Sequence, residues 1–315
     1  NVAVGYGALD ANTTADNNTA VGYGALSAST TATENVAIGS FALTAATVGA
    51  QVAVGHGAMT ATTTGANNTA CGYLALNATT TGNRNTAIGF AALDTQTTAS
   101  YNTAVGYNGL TANTSGAENT AVGQAALDAN TTASHNTAVG SQALSGTTTG
   151  SANTAVGRAS LLQNTTGINN VGVGYNSLYN NTTGYQNVAI GRDALGSNTT
   201  ANNNTAVGYN AMGANTTGAG HVALGYAALD ANTTANYNTA VGFSALTANT
   251  TGGNNVAMGS FALDDNTTGG HCTGVGYGAL SANTAGDNNA AFGTHALINN
   301  TVGVNNTAIG SYALD

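Results

Sequence analysis

The stretch NTAVGYGAL (residues 18–26) returns with few changes throughout the 315-residue chain. It appears first as NVAVGYGAL (residues 1–9) and then recurs at a constant interval, except that the third copy (residues 35–50) is one residue short. Eighteen full copies and a truncated nineteenth follow the consensus N-T-A-V-G-Y-x-A-L-x-A-N-T-T-G-x-x. We call each copy a coil and number its positions from 1 to 17. Coils begin at residues 1, 18, 35, 51, 68 and 85, and then at the same interval to 306.

The length of the repeat predicts the fold class. Seventeen residues are too few for the helix pairs of helical repeat proteins, whose units run to about 33–47 residues. Val and Thr favour strands, and a Gly in every coil favours tight bends. We therefore predict an all-β parallel β-solenoid, or β-roll, of about 19 coils that forms a single repeat array over residues 1–315. One strand is expected at T-A-V and a second near A-L-x-A, with bends at the Gly and at N-T-T-G.

Three positions vary little in character, and each predicts a structural role. Position 5 is Gly in all nineteen coils, which predicts a positive φ or a close backbone approach. Position 4 is always apolar and position 9 is Leu or Met, so both are predicted to form the core. The predicted turn residues include Gly5, Gly22, Gly39, Gly55, Gly72 and Gly89. The predicted core residues include Val4, Leu9, Val21, Leu26, Ile38 and Leu43, and Cys71 at position 4 is expected to pack as a small hydrophobe.

Asn and Ala recur in columns that suggest contacts between coils and between chains. The leading Asn departs only at Gln51, His221 and Cys272, and stacked amides can form ladders that stabilise β structure. One Val, one Leu and one aromatic side chain are little apolar burial for a whole coil. The small Ala side chains at positions 3 and 8 would let a second chain approach closely, which predicts a homo-oligomeric fibre. These columns include Ala3, Ala20 and Ala37, and Ala8, Ala25 and Ala42.

Position 6 usually carries an aromatic side chain. Where it is Ser, the aromatic residue often moves to position 7, as in Phe41, Phe261 and Tyr312. One interpretation is a partly buried stacking ladder, and the other is a stripe that contacts a sugar or a protein. The candidate contact residues are Tyr6, Tyr23, Tyr73 and Tyr107.

The composition excludes several functional classes. Charged residues are 5% of the chain, against roughly 25% in typical globular domains, and the net charge is −9. Three scattered Arg cannot neutralise a nucleic-acid backbone, and no apolar run approaches the ~18 residues of a membrane span. No catalytic, cofactor or metal-binding cluster is predicted, so the chain is not expected to be an enzyme. The pair Asp264-Asp265 is interpreted as a solvated edge, and His271-Cys272 is too small a set for a zinc site.

The motif NVAIG, at residues 35–39 and 187–191, supports a family resemblance. It resembles the N-S-V-A-I-G signature of trimeric autotransporter adhesin (YadA-like) heads, and the whole unit is similar to repeat arrays of bacterial surface proteins and phage tail fibres. The adhesin repeat is shorter than this one and favours Val where this chain mostly has Thr. The resemblance implies a homotrimer of parallel, left-handed β-rolls on a cell surface or virion surface. Because the chain begins and ends within the pattern, we expect an excerpt of a longer protein.

Three functional hypotheses follow. The first is the structural and adhesive repeat region of an elongated extracellular trimeric fibre that mediates surface attachment, with itself and surface glycans or a host matrix protein as partners. A phage tail fibre shaft is an alternative within this class. The second is an ice-binding β-solenoid, suggested by Thr-Thr pairs such as Thr13-Thr14, Thr131-Thr132 and Thr233-Thr234. The third, a solenoid carbohydrate-active enzyme using Asp264 and Asp265, is the weakest.

Overall fold

The computed structural model describes all 315 residues, which form nineteen three-residue strands and no helix. They fall into two compact units, residues 1–155 and 156–315. The first unit contains β1 (Val2–Val4), β2 (Thr19–Val21), β3 (Val36–Ile38), β4 (Val52–Val54), β5 (Thr69–Cys71), β6 (Thr86–Ile88), β7 (Thr103–Val105), β8 (Thr120–Val122) and β9 (Thr137–Val139). The second contains β11 (Val171–Val173), β12 (Val188–Ile190), β13 (Thr205–Val207), β14 (Val222–Leu224), β15 (Thr239–Val241), β16 (Val256–Met258), β17 (Thr273–Val275), β18 (Ala290–Phe292) and β19 (Thr307–Ile309). The unit boundary lies within β10 (Thr154–Val156).

Within each unit, successive strands pair in parallel, and each position faces the same position of the next coil. Ala104 pairs with Ala121 in the first unit, and Ala189 pairs with Ala206 in the second. The short third coil keeps this alignment, because Ala37 still pairs with Ala53, the equivalent residue of the fourth coil. The predicted all-β parallel solenoid with 17-residue coils is therefore confirmed.

The second predicted strand, near A-L-x-A, is absent. This segment is a tight turn in which the position-9 Leu has a left-handed backbone, with φ of 53° at Leu9 and 50° at Leu26. Position 7 is also left-handed, as at Asn108 with φ of 55°. A left-handed conformation is unfavourable for a bulky residue, so strand propensity could not reveal it. The turn still bonds to the next coil, because the Leu9 amide donates to the Ala25 carbonyl at 3.0 Å.

The invariant Gly of position 5 has two separate causes. Its φ lies between 126° and 148° in every coil, a region that L side chains rarely adopt. A Cβ at this position would also meet the backbone of the next coil, for example 2.7 Å from the Gly22 carbonyl oxygen when built on Gly5. Position 15 differs, because its φ is not positive, and Ala replaces Gly there at Ala15 and Ala32.

The interior of each coil is formed by position 9 together with the two Ala columns. Leu26 and Leu43 are fully buried. The prediction that position 4 also lies in the core is wrong: Val4 is 57% exposed and Ile38 is 40% exposed, and Val21 is half-buried. Side chains alternate along a strand, so the central Ala faces inward and its two neighbours face outward. For the same reason Cys71 is exposed, although it was expected to be packed.

The Ala columns face the interior of their own chain and not a neighbouring chain. Ala20, Ala37, Ala25 and Ala42 are all fully buried. The two columns share one narrow space, since a Cβ built on Gly109 at position 8 would lie 3.5 Å from the Ala104 Cβ at position 3. The close-approach argument for oligomerisation therefore does not hold for these residues.

The position-1 Asn joins neighbouring coils through the backbone more than through other amides. Asn102 Oδ1 accepts a hydrogen bond from the Asn119 backbone N–H at 2.9 Å, and Asn102 Nδ2 donates to the Gly116 carbonyl at 2.8 Å. Each Asn thus provides one acceptor and one donor inside the coil. Buried polar groups need such partners, which explains why Ala or Leu never appears at this position.

The three exceptions at position 1 use other chemical groups to make the same contacts. Gln51 Nε2 donates to the Gly65 carbonyl, and its Oε1 accepts from the Asn68 N–H. In His221, Nε2 lies 2.7 Å from the Ala235 carbonyl and Nδ1 accepts from the Asn238 N–H at 3.0 Å. Cys272 lies with Sγ 3.1 Å from the Gly286 carbonyl. Neutral imidazole, with one donor and one acceptor, therefore reproduces the Asn pattern.

We expect His221 to make the protein sensitive to mild acid. Burial lowers the pKa of His221 below the ordinary 6.5, so the unfolded chain takes up the proton first as the pH falls. The contribution of His221 to stability is complete above about pH 6.5 and is lost as the pH falls towards the lower folded pKa, at about 1.4 kcal/mol per pKa unit. His221→Asn should remove this loss, measured as the difference in melting temperature between pH 8 and pH 5.

The control for this prediction is His135→Asn. His135 is exposed, and its Nδ1 lies 3.3 Å from Glu118 Oε2. It occupies position 17 of its coil, where Asn is common in other coils. An equal gain in acid resistance from the two variants would contradict the assignment to His221.

A second interior column, at position 12, differs between the two units. Nine consecutive Asn in the second unit, from Asn164 to Asn300, link amide to amide at 2.7–3.2 Å. In the first unit, Ser29, Thr62 and Thr147 occupy this column, and their buried hydroxyls find no hydrogen-bond partner. The amide ladder expected for the Asn columns is therefore best developed at position 12 of the second unit.

Candidate functional site

Aromatic side chains form a continuous stack along the first unit. Tyr6 and Tyr23 stack with ring centroids 5.5 Å apart, and Phe90 and Tyr107 stack at 5.2 Å. Seven rings follow one another in consecutive coils, at centroid distances of 5.2–6.4 Å. They are Tyr6, Tyr23, Phe41, His56, Tyr73, Phe90 and Tyr107. We call this row the first aromatic stack; it contains all four candidate contact residues, and all four are exposed.

The second unit carries a row with the same number of rings, which we call the second aromatic stack. Seven rings from Tyr209 to Tyr312 follow one another at 5.0–5.9 Å. Arg192 extends the row, because its guanidinium carbon lies 5.6 Å from the ring centres of both Tyr175 and Tyr209. Arg158 also packs against Tyr175, at 5.5 Å. Each Arg thus occupies the place of a ring and makes a cation–π contact.

Aromatic residues at position 7 join the same stacks as those at position 6. Phe41 lies edge-on between Tyr23 and His56, and Phe261 lies edge-on between Phe243 and Tyr277. The sequence pattern of one aromatic group per coil therefore has a direct structural cause. The contribution of His56 and His295 as ring members was not recognised from the sequence, although their positions, 6 and 7, contained the signal.

The stacked rings cover one another's faces, which limits what they can bind. Neighbouring planes lie within 8–12° of parallel in the stacked pairs. A sugar ring packs on an aromatic face, and here the faces are occupied by the adjacent rings. The stacks instead present one ring edge per coil to solvent, together with a hydroxyl wherever the ring is Tyr. This geometry favours contacts made by ring edges and hydroxyls over carbohydrate stacking along the row.

The outward face of the strands carries an apolar column at position 4. The residue there is apolar in all nineteen coils and buried in none of them. Leu224, Met258 and Phe292 are 42–47% exposed, although each lies in an interior coil of its unit. Contiguous exposed apolar surface on a soluble protein commonly marks an interaction site. The apolar column is therefore the second candidate contact surface.

The Thr-Thr pairs do not form a double array. At position 13 the hydroxyl is used between coils: Thr13 Oγ1 donates to the Thr30 carbonyl at 3.2 Å, and Thr131 Oγ1 donates to the Thr148 carbonyl at 3.1 Å. Both residues of Thr13-Thr14 are exposed, whereas Thr131 and Thr233 are half-buried. The exposure of position 13 is therefore not kept from coil to coil, and its hydroxyls are engaged within the chain, which weakens an ice-binding array built on these pairs.

Acidic groups and cysteines remain separated. Asp264 was interpreted as part of a solvated edge, but it is half-buried; this burial, with the adjacent Asp265 charge, raises the pKa of Asp264 to about 6. No group of three His, Cys, Asp or Glu side chains is placed to hold a metal ion. Cys71 and Cys272 are both free thiols.

Comparison with protein-family models and with curated proteins finds no match. The structure also contains no helix with the length and hydrophobicity of a membrane span.

Proposed function

We propose that this chain is the structural and adhesive repeat region of an extracellular homotrimeric fibre that attaches to surfaces. The observation that carries the proposal is the apolar column at position 4. The residue at position 4 is apolar in every coil, although it is not buried within either unit of the single chain. A parallel neighbouring copy would present the same column at the same spacing, so association would bury it continuously.

The aromatic stacks supply the adhesive part of the proposal. Each stack offers seven successive ring edges, with a hydroxyl at each Tyr, and so supplies many weak and similar contacts. Weak contacts gain strength when they are repeated along one particle and across three chains, because binding of one site raises the effective concentration of the others. Surface glycans or a matrix protein are the proposed partners, and the surface of a cell or of a virion is the proposed location.

Light scattering with circular dichroism tests the assembly. The expected result is a β-rich particle of three chains of 30.5 kDa each. Charging the apolar column with Val207→Glu, Leu224→Glu and Val241→Glu should give a folded monomer. The matched control adds the same three charges to the same coils at exposed Thr217, Thr234 and Thr251 and should remain trimeric.

A folded, monomeric wild-type protein would contradict the trimer, and a thermal hysteresis assay would then test the ice-binding alternative. Attachment is tested separately, by binding of the trimer and of the charged monomer to immobilised glycans and matrix proteins. The trimer should bind more tightly through avidity. If neither the trimer nor the charged monomer binds any of these surfaces, the adhesive role is contradicted. The result on assembly would still stand.

A further inference from the structure

A hollow of about 240 Å³ interrupts the surface of the second unit beside the second aromatic stack. It lies where position 10 is Gly in two successive coils, Gly196 and Gly213, between the larger position-10 residues Tyr179 and Asp230. Most other coils carry Thr, Ser or Asp at this position. The missing side chains create the space, so the hollow is a local departure from the repeat and not a general feature of it.

Polar groups around the hollow are not used within the chain. The side chains of Asn176, Asn180 and Ser197 line it, and none of them makes a hydrogen bond to the protein. The backbone, in contrast, is satisfied: the Asn180 N–H donates to the Gly196 carbonyl at 3.1 Å, and the Ser197 N–H donates to the Gly213 carbonyl at 3.2 Å. Two amides and one hydroxyl are therefore free to donate to and accept from a ligand.

The charge of the lining favours a neutral ligand. Asp193 is the one carboxylate in the lining, and its Oδ2 is paired with Arg192 Nε at 3.0 Å. Asn210, which also lines the hollow, donates a hydrogen bond from Nδ2 to Asp230 Oδ1 at 2.7 Å. An anion would meet Asp193, and a cation would have to compete with Arg192. Neither charge is favoured over a neutral molecule rich in hydroxyl groups.

One aromatic side chain completes the site. Tyr179 borders the hollow, is half-buried and takes no part in either aromatic stack. Its ring is therefore not covered by a neighbouring ring, unlike those of Tyr209 and Tyr226, which stack at 5.3 Å. Small-molecule sites usually combine an apolar wall with a few placed polar groups, and drug-sized ligands need about 300–1,000 Å³. This smaller hollow suits a single small ring.

We infer that this hollow binds one neutral pyranose unit, with Tyr179 packing against the sugar ring and Asn176, Asn180 and Ser197 bonding to its hydroxyls. The inference names a ligand class for the proposed attachment role and rests on that role for its biological meaning. The site itself lies within one chain. Binding of a free sugar is therefore expected of the trimer and of the charged monomer alike, and it is measured independently of particle mass.

Saturation-transfer NMR and calorimetric titration with methyl glucopyranosides, galactopyranosides and mannopyranosides test the inference. At least one of these is expected to bind the wild-type protein, and the acyclic polyol sorbitol is not. Gly196→Thr fills the hollow with the residue that position 10 carries at Thr44 and Thr247, and should weaken binding at least tenfold. Tyr179→Ala should weaken it similarly, whereas Tyr179→Phe should retain it.

The matched control is Ser281→Thr, which enlarges the same position in a coil that does not line the hollow. It should leave sugar binding unchanged, and melting curves of all variants should show that they are folded. The inference is overturned if no pyranoside binds at tens of millimolar, if sorbitol binds equally, or if Gly196→Thr binds as well as the wild type. Such a result would not affect the trimer mass, so the two proposals fail separately.

Discussion

Leu161→Ala is expected to lower the free energy of unfolding by about 2–5 kcal/mol, the usual cost of truncating a fully buried Leu. Leu161 occupies position 9 and has no exposed surface. Its backbone is left-handed with φ of 54°, but Ala91 and Ala125 are left-handed too, so the new residue suits the backbone. The loss should therefore report the missing side chain and the cavity left behind. Denaturant unfolding followed by circular dichroism measures it.

The next residue in the chain is the control. Leu162 has the same side chain but lies at position 10, is half-exposed, and corresponds to Thr, Ser, Asp or Gly in most other coils. Leu162→Ala should cost less than about 1 kcal/mol, as surface substitutions usually do. Similar losses in the two variants would contradict the assignment of position 9, and not position 10, to the core.

Gly242→Ala should lower the free energy of unfolding at least as much as Leu161→Ala, by about 3 kcal/mol or more. Backbone strain and steric collision act together at this position. Gly242 has φ of 142°, and a Cβ there would lie 2.5 Å from the Gly259 carbonyl oxygen and 2.9 Å from the Ser260 amide nitrogen. Backbone strain of this kind costs about 1–3 kcal/mol, and the collision with the backbone of the next coil adds to it. Because each coil contacts only its neighbours, the destabilisation should be confined to the coils around Gly242. Native-state hydrogen exchange should show faster opening in residues 238–254 and the following coil.

Gly253→Ala, in the same coil, separates strain and collision from the mere addition of a methyl group. Gly253 lies at position 16, where the backbone is not left-handed and where Ala66, Ala117 and Ala219 occur naturally. The nearest atom to a Cβ there would be the Asn236 carbonyl oxygen, at 3.2 Å. The effect of Gly253→Ala should stay below about 1 kcal/mol, in the range of ordinary tolerated substitutions. Comparable exchange rates in the two variants would show that position 5 is invariant for another reason.

Position 4 was predicted to face the core, but position 3 does, because the apolar pattern of a short strand does not show which face is buried. In a three-residue strand, either the central residue faces inward or its two neighbours do, and the larger apolar residue at position 4 was the natural choice. The better signal is tolerance of size. Position 3 accepts only Ala or Gly, as at Gly172 and Gly274, whereas position 4 accepts Val, Ile, Leu, Met, Phe and Cys. An interior slot has a nearly constant volume, while an exposed column does not.

The interior also adjusts where its columns vary, in a way that a consensus hides. Ser160 and Ser177 replace Ala at position 8 and lie 2.8 Å apart. The Ser160 hydroxyl donates to the Gly172 carbonyl at 3.0 Å. A Cβ on Gly172 would lie 2.5 Å from Ser160 Oγ, so the smaller residue at position 3 compensates for the larger ones at position 8. These changes look unrelated in the sequence, because they fall in different coils and at different positions of the repeat.

The period, the parallel stacking, the Gly bend and the preference for one ring per coil follow from the amino-acid sequence alone, because near-identical coils place equivalent residues in equivalent environments. The sequence also indicated that the position-1 Asn joins neighbouring coils, but as an amide-to-amide ladder, whereas most of its bonds are to the backbone. The tertiary structure was needed to decide which face of the strand is buried, the left-handed turn at Leu9 and its equivalents, and the hollow beside Tyr179. Those features depend on the space left between side chains that are distant in the chain. A repeat alignment lists residue types and does not contain that packing information.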